Sequence, residues 1–361
     1  MIAAIESDSC VLRYCRPGFE TECAAELAAE AGAAGIGGTG REGAGFVVFE
    51  LAGTAARENV RAVANWRNCI FARQSLIAFA QLADLPRADR LTSIMAALSA
   101  RNERFSDAWV EAPDTEEGKA LAPFCKSFGN ALIGGLKKAR LLEPGARRRL
   151  HAFFPQSDNV YLASADPAAT APWPQGIPRL KFPREAPSRS TLKLEEALLV
   201  LLDEGERERW LKPGMSAVDL GAAPGGWTWQ LVRRSLRVTA VDNGPMDAAL
   251  LQSGLVTHRR EDGFRFRPAR AVDWMVCDMV EQPRRIAELI ARWLGAGWCR
   301  YTVFNLKLPM KKRYEETRRC LQIIADAAQG GVDLRARQLY HDREEITVFG
   351  RVATRKEPAR R

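Results

Sequence analysis

The sequence is poor in histidine and has no closely spaced cysteines. Its 361 residues include three histidines and eight cysteines, and the cysteines are scattered without a C-x-x-C pair. Zinc sites and disulfide frameworks need such ligands at close spacing, so we expect neither a metal site nor a disulfide. Reduced cysteines are typical of intracellular proteins.

Long apolar runs are also missing. No stretch approaches the roughly 18 to 20 apolar residues of a membrane span, and the first six residues show no basic region followed by an apolar core. Hydrophobic residues make up 47% and charged residues 27% of the chain, which excludes wholesale disorder. We therefore expect a soluble, cytoplasmic protein with no secretion signal and no membrane contact.

Positive charge exceeds negative charge and is unevenly distributed. The formal net charge is +9, and the excess lies in residues 171–361. In the first half, the basic segment 119–149 holds eight basic residues and one acidic residue, Glu143. A basic surface in both halves is typical of RNA or DNA binding. A solvated helix face and loop explains segment 119–149 equally well when it is taken alone.

A proline-rich stretch divides the chain. The length predicts about two domains at roughly 150 residues each, and residues 166–190 contain six prolines. Proline fixes φ and removes a backbone donor, which excludes a regular helix or a central strand. We predict a semi-rigid linker over 166–190, between an N-terminal domain of residues 1–165 and a C-terminal domain of residues 191–361.

The N-terminal half alternates predicted strands and helices, and its sequence shows no group of candidate catalytic residues. Apolar runs and turn residues predict an α+β fold. The predicted strands span 11–15, 45–50 and 70–79, and the predicted helices span 20–31 and 91–101.

The C-terminal half alternates short apolar strands with helices. This pattern predicts an α/β, Rossmann-like domain with a mostly parallel, doubly wound sheet. The predicted strands span 217–220, 237–241, 273–277, 301–306 and 345–349, and the predicted helices span 192–202, 228–234 and 283–293.

A glycine-rich turn follows the first predicted strand of this half. It reads Asp219-Leu-Gly-Ala-Ala-Pro-Gly-Gly-Trp227, which lacks both the G-x-G-x-x-G of dinucleotide sites and the P-loop motif. Asp242 ends the next strand, where a carboxylate can accept hydrogen bonds from ribose hydroxyls. With Asp262 placed for an adenine amino group, the pattern favours S-adenosylmethionine. The alternative is a tight turn without a ligand.

Four charged residues recur at the margins of the apolar strands of this half. They are Lys193, Asp278, Lys307 and Glu345. Each one alone is well explained as a surface charge. Asp278 and Lys307 follow neighbouring parallel strands, however, and ligands bind at the carboxyl edge of such sheets.

This set and the glycine-rich turn resemble the Lys-Asp-Lys-Glu tetrad and cofactor motif of the FtsJ/RrmJ-type RNA ribose 2′-O-methyltransferases. Longer strings are more similar to the RlmM family, whose bacterial members methylate a cytidine ribose of 23S rRNA. These strings span residues 14–20, 276–280, 304–316 and 338–345.

The resemblance implies an N-terminal THUMP-type RNA-binding region, a class I methyltransferase domain, and a monomer acting on 23S rRNA with S-adenosylmethionine. Lys307 takes the role of proton acceptor, and Glu345, which an apolar strand follows, is favoured over Glu344 as the fourth member. This sequence has alanine at position 223, where the family also uses cysteine. The residues carried over as cofactor contacts are Ser190, Ala223, Pro224, Gly225, Gly226, Asp242, Asp262 and Asp278.

The chemistry sets a condition on Lys307. A lysine acts as a base only when neutral, and burial or a neighbouring cation lowers its pKa. We expect Lys193 to supply that cation, with Asp278 and Glu345 positioning both amines. A carboxylate too close to Lys307 raises its pKa instead. RNA phosphates are expected to bind the basic segment 119–149 and the run Lys311-Lys312-Arg313.

Three other functions remain open. Amino-group methylation of adenine usually accompanies an Asn/Asp-Pro-Pro-aromatic string, and residues 278–281 read Asp-Met-Val-Glu. Carbon-5 methylation of pyrimidines needs a nucleophilic cysteine, for which Cys277 is the nearby candidate, although its apolar strand favours a core thiol. A non-catalytic RNA-binding or chaperone module with a vestigial fold is the third.

Overall fold

The computed structural model describes residues 10–53, 57–328 and 331–352. The first six residues, for which we predict no secretion signal, lie outside this range. The chain divides into two compact units, Met1–Pro178 and Arg179–Arg361, so the boundary falls inside the proline-rich stretch. None of the helices in the described ranges is long and apolar enough to cross a membrane.

The N-terminal unit combines a mixed sheet with helices, in agreement with the predicted α+β pattern. Its described sheet has the order β2-β3-β1-β4-β7-β6-β5 and is antiparallel except for the β5–β6 pair. The strands are β1 Cys10–Cys15, β2 Gly38–Gly43, β3 Phe46–Leu51, β4 Ala72–Leu82, β5 Asp107–Glu111, β6 Arg149–Gln156 and β7 Asn159–Ala165; the helices are α1 Glu20–Ala33, α2 Arg57–Val63, α3 Arg90–Arg101, α4 Glu116–Ala120 and α5 Ala122–Lys138.

Burial explains these elements. β4 lies at the centre of the sheet and is buried along nearly its whole length, which accounts for its long apolar run. Helix α5 buries Phe128, Leu132 and Leu136, which recur every four residues and therefore share one face. This face packs on a core that includes Leu150 and Phe154 of β6.

The C-terminal unit is an α/β unit whose described sheet has the order β10-β9-β8-β11-β12-β14-β13. Its strands are β8 Ser216–Leu220, β9 Arg237–Val241, β10 Val256–Arg259, β11 Val272–Cys277, β12 Cys299–Lys307, β13 Val332–Arg337 and β14 Glu345–Val352; its helices are α6 Thr191–Leu201, α7 Glu204–Trp210, α8 Gly226–Val232, α9 Ala248–Gln252, α10 Pro283–Gly295 and α11 Arg313–Ala327.

The direction of the strands changes across this sheet. The strands from β10 to β12 are parallel, whereas β14 runs antiparallel to both β12 and β13. The chain proceeds from β8 outward to β9 and β10, and then crosses to β11 on the other side of β8. The order therefore reverses between β8 and β11, and such a reversal opens a crevice at the carboxyl ends of the strands.

Candidate active site

A cleft of about 420 Å³ lies at this edge of the sheet. Gly221 follows β8, Asp242 follows β9 and Asp278 follows β11, and all three residues line the cleft. The register of the parallel strands pairs Leu220 with both Val241 and Cys277, which brings the three strand ends level. The carboxyl ends of the three strands therefore meet at the edge of the sheet where ligands bind in such folds.

The cleft contains part of the predicted cofactor set. Four of the eight predicted residues line it and four, at the start of α6 and α8, do not. The lining members are Ala223, Asp242, Asp262 and Asp278; the others are Ser190, Pro224, Gly225 and Gly226. Sequence reasoning missed Val241, Asn243, Glu261, Gly263, Phe264, Met279, Val280 and Glu281. Each of these lies within three residues of a predicted one, so neighbouring positions in the same loops are the signal that identifies them.

Close packing explains the glycines of the turn. A Cβ atom on Gly226 would lie 2.3 Å from Ser190 Oγ, and one on Gly221 would lie 2.4 Å from Met279 Cγ. Gly221 also has φ of +76°, which side-chain-bearing residues rarely adopt. Trp227 donates a hydrogen bond from Nε1 to the Ser190 carbonyl at 3.0 Å. Ser190 thus contacts the start of α8 and contributes to the shape of the turn.

Carboxylates dominate the described lining of the cleft. It contains five acidic residues and no lysine or arginine. Asp242 accepts backbone N–H groups from Ala223 at 3.0 Å and from Gly244 at 2.7 Å, and each of its oxygens keeps a further lone pair. This set of acceptors fits a ligand that carries hydroxyl and amino donors and positive charge, such as S-adenosylmethionine. It does not fit a polyphosphate.

The four charged residues of the predicted tetrad meet beside the cleft. Lys307 ends β12, Glu345 begins β14, and Lys193 lies on α6. Glu345 accepts hydrogen bonds from both lysine ammonium groups. Asp278 Oδ1 lies 2.7 Å from Lys307 Nζ, and Asp278 Oδ2 lies 3.6 Å from Lys193 Nζ. The two carboxylates therefore bridge the two amines.

Glu345 and Glu344 have different environments. The Glu345 side chain is 5% exposed and contacts both lysines. The Glu344 side chain is 63% exposed and pairs with Arg313 at 2.7 Å. Of these two neighbouring acids, Glu345 is the one that the structure brings to Lys193 and Lys307.

The charges around Lys307 hold its proton. Burial favours the neutral amine, but the carboxylates of Asp278 and Glu345 outweigh that effect and raise the pKa of Lys307 above its ordinary value. The net shift of this pKa is therefore opposite to the lowering that was expected from burial and Lys193. The physical reason is that the carboxylates stand between the two amines.

A buried hydrogen-bond chain supports Asp278 from behind. Asn305 donates from Nδ2 to Asp278 Oδ1 at 2.8 Å, and Thr347 donates from Oγ1 to Asn305 Oδ1 at 2.7 Å. Thr347 Oγ1 also lies 3.0 Å from Asp342 Oδ2. Burial, and the nearby charge of Glu345, raise the pKa of Asp342 well above its ordinary value. Thr347 therefore joins Asn305 and Asp342 in one buried hydrogen-bond network.

Cys277 is a core residue. Its side chain is fully buried at the end of β11. Burial raises the pKa of this thiol to about 12, so the reactive thiolate is scarce at neutral pH. These two facts disfavour the nucleophile that carbon-5 methylation requires.

The predicted phosphate contacts differ in their availability. Lys119 pairs with Glu116 at 2.6 Å, and Arg313 pairs with Glu344. Lys311 and Lys312 are exposed and follow the strand that carries the tetrad lysine. Of the run Lys311-Lys312-Arg313, the two lysines are thus the better placed for an external anion.

Comparisons with known families cover both units. Three family models match: the RlmM ferredoxin-like domain over residues 9–76, the N-terminal model of ribosomal RNA large subunit methyltransferase M over residues 89–166, and the FtsJ-like methyltransferase model over residues 186–294. The coarse prediction of an N-terminal domain followed by an FtsJ-like methyltransferase domain is confirmed, and the N-terminal part is ferredoxin-like.

Curated relatives match nearly end to end, whereas solved structures are distant. The chain is 56% identical over 347 residues to Ribosomal RNA large subunit methyltransferase M of Xanthomonas oryzae pv. oryzae (strain PXO99A), with 94% of this chain and 98% of the relative covered. The protein of the same name from Xanthomonas campestris pv. campestris (strain B100) matches with the same values. TrmN from Thermus thermophilus is similar at 16% identity with a TM-score of 0.35, covering 94% of this chain and 98% of TrmN, which is too distant to inform function. On the strength of its relatives, the chain belongs to the family of ribosomal RNA large subunit methyltransferase M.

Proposed function

We propose that this protein transfers a methyl group from S-adenosylmethionine to the 2′-hydroxyl of a cytidine ribose in 23S rRNA. The observation that carries the proposal is the amine of Lys307, held between Asp278 and Glu345 beside a cleft lined by carboxylates. The relatives, which are named as large-subunit rRNA methyltransferases, support the substrate. The resemblance of the tetrad to ribose methyltransferases supports the acceptor atom.

The carboxylates of the cleft are the proposed cofactor contacts. Asp242 accepts the ribose hydroxyls, Asp262 accepts the adenine amino group, and Asp278 faces the positive end. S-adenosylmethionine supplies an activated methyl group, and the charge of its sulfonium favours the neutral form of a nearby amine. The residues that shape the turn, Ser190 and residues 223–226, complete the proposed set.

Lys307 is the proposed proton acceptor. A ribose hydroxyl is a poor nucleophile at neutral pH, so the protein has to hold it in line and take its proton. Because Asp278 and Glu345 favour the protonated form of Lys307, the lysine has to lose that proton before it can accept another. Its neutral fraction, and with it the rate, rises with pH. Lys193 holds the Glu345 carboxylate in place.

The N-terminal unit is proposed as a THUMP-type RNA-binding region. Its basic segment 119–149, together with Lys311 and Lys312, supplies phosphate contacts. Val280 and Met310 are apolar and about 90% exposed, and they follow Asp278 and Lys307 in the loops after β11 and β12. Exposed apolar side chains beside a catalytic group suit contact with an unstacked base.

The remaining assignments follow from the same substrate. We propose a cytoplasmic monomer, because rRNA is modified in the cytoplasm of bacteria and one chain carries both the cofactor residues and the tetrad. The domain bounds of 1–165, 166–190 and 191–361 are part of this proposal. Gel filtration with light scattering tests the monomer.

The product identifies the reaction. Unmethylated 23S rRNA is incubated with the protein and labelled S-adenosylmethionine, then digested to nucleosides and analysed by mass spectrometry. We expect the label in 2′-O-methylcytidine. Label in a methylated base contradicts the acceptor atom, and label in another ribose-methylated nucleoside contradicts the cytidine. A complete lack of transfer favours the non-catalytic alternative.

A further inference from the structure

A second cleft, of about 310 Å³, lies in the N-terminal unit and is rich in arginine. It is formed by the end of α2, the middle of β4 and the ends of β6 and β7 that lie together. The arginines that line it are Arg61, Arg101, Arg147 and Arg148.

Two of these arginines are available to an external anion. Arg101 and Arg148 share Glu103, at 2.8 Å and 3.8 Å. Arg61 and Arg147 form no ion pair with any residue in the described ranges, and both are exposed. The lining contains one acidic side chain, Asp166, whose carboxylate accepts the backbone N–H of Ala168 at 2.9 Å. Positive charge therefore predominates in the cleft.

A hydroxyl group in the same cleft also lacks a partner. Ser164 lines the cleft near the end of β7, and its Oγ atom is buried without a hydrogen bond to any described residue. Buried polar groups are normally paired, and an exception in a cleft points to a missing ligand. A serine hydroxyl donates readily to an anionic oxygen.

We propose that this cleft binds the phosphate group of a nucleotide, contacted by the guanidinium groups of Arg61 and Arg147 and by the hydroxyl of Ser164. Guanidinium groups present paired donors that match phosphate oxygens. The phosphate comes from the RNA backbone or from a free mononucleotide, since both carry the same chemistry. The RNA source rests on the proposed function, and it gives the N-terminal unit one defined anchoring point within its basic surface.

The test compares matched charge losses in the full-length protein. The cleft variant is Arg61→Gln/Arg147→Gln, and the control is Arg87→Gln/Lys212→Gln, which removes two exposed positive charges elsewhere. Binding of a fluorescein-labelled 12-nucleotide single-stranded RNA is measured by anisotropy over a range of salt concentrations. We expect the cleft variant to bind about 5- to 20-fold more weakly at low salt, with a salt slope smaller by about 0.7, because one single-strand phosphate contact is lost. The control should change affinity less than about twofold.

A second variant tests the role of the serine hydroxyl, and a second ligand tests the source of the phosphate. Ser164→Ala should weaken RNA binding by about 2- to 5-fold without lowering Tm, because its hydroxyl has no partner to lose. Loss of cytidine 5′-monophosphate binding in the cleft variant with unchanged RNA affinity identifies the free mononucleotide as the source, whereas loss of RNA affinity identifies the RNA backbone. Equal losses in cleft variant and control, or no loss in either with both probes, overturn the proposal. Because binding is measured without methyl transfer, an inactive enzyme that binds RNA through this cleft contradicts the proposed function alone.

Discussion

Lys307 and Glu345 are direct partners across the antiparallel pair of β12 and β14. This register places the ammonium group of one against the carboxylate of the other, and Glu345 also contacts Lys193. The arrangement positions the amine accurately but stabilises its protonated form. Positioning and basicity therefore oppose each other at this site, and pH dependence is the property that separates them.

Replacing Glu345 by glutamine should shift the pH profile of methyl transfer. The substitution removes one of the two carboxylates that raise the pKa of Lys307, so the neutral amine forms at lower pH. We expect the rising limb of kcat against pH to move to lower pH, while the maximal rate falls because positioning is weakened. Single-turnover rates between pH 6 and 10 measure this.

The matched control for that experiment is Glu344→Gln. Glu344 is exposed and pairs with Arg313 rather than with the lysines of the tetrad. Its profile should coincide with that of the wild type. If the rising limb of kcat against pH lies at the same pH in Glu345→Gln as in the wild type, a group other than Lys307 controls the rate.

Thr347 should matter for both stability and activity. The variant Thr347→Val removes the hydroxyl that links Asn305 to Asp342 and leaves buried polar atoms without a partner. We expect a loss of about 1–3 kcal/mol in the free energy of unfolding and slower methyl transfer, because Asp278 loses its support. The control is Thr302→Val on β12, since within the described ranges the Thr302 hydroxyl has one hydrogen-bond partner, the Met275 sulfur at 3.8 Å. Equal effects of the two variants in urea melts and rate assays would refute the role of the chain.

Asp219 should make stability depend on pH. Burial raises its pKa to about 7, although a hydrogen bond from Thr228 opposes the shift. The folded protein then binds this proton more tightly than the unfolded chain does. The stabilisation from Asp219 is therefore complete below about pH 4 and is lost as the pH rises to 7. Over that range the free energy of unfolding decreases by on the order of 4 kcal/mol.

The variant Asp219→Asn isolates this contribution. Asparagine keeps an acceptor for Thr228 but does not titrate. The free energy of unfolding of the variant minus that of the wild type should therefore increase between pH 4 and pH 7. Chemical denaturation at several pH values measures the difference, and a constant difference would contradict the raised pKa.

Gly226 should not tolerate a side chain. A Cβ atom there would lie 2.3 Å from Ser190 Oγ and 3.2 Å from the Thr191 backbone nitrogen. We expect Gly226→Ala to lower stability by about 1–3 kcal/mol and to weaken cofactor binding, which calorimetry measures. Gly134→Ala is the control, because a Cβ atom in that helix meets nothing within 4 Å and alanine favours helices. Unchanged stability and affinity in the Gly226 variant would show that the turn is adaptable.

The sequence predicted the C-terminal sheet better than the helices. Buried parallel strands are continuous apolar runs, and the predicted strand 237–241 coincides with β9. Helix α5 was offered for segment 119–149 only as an alternative and without bounds, because Gly129, Gly134 and Gly135 weaken its helix propensity. Strand β13 was missed because its alternating polar residues carry little apolar signal.

Some residues of the candidate site were likewise predicted from the sequence, and others were missed. Strand ends mark the edge of a parallel sheet, so the meeting of Asp278 with Lys307 was predictable. Asn305 and Thr347 were missed, although each lies two residues from a tetrad member and therefore on the same face of its strand. The direction of the pKa shift of Lys307 depends on interatomic distances, which residue spacing does not supply.

The most direct test of the central claim is methyl transfer by Lys307→Met. Methionine keeps most of the side-chain volume but has no proton-accepting amine. We expect the variant to bind S-adenosylmethionine and RNA with near wild-type affinity while its single-turnover rate falls by about 10²-fold or more, whereas Lys212→Met, at an exposed site, retains full activity. A rate within a few-fold of the wild type in the Lys307 variant would contradict the account.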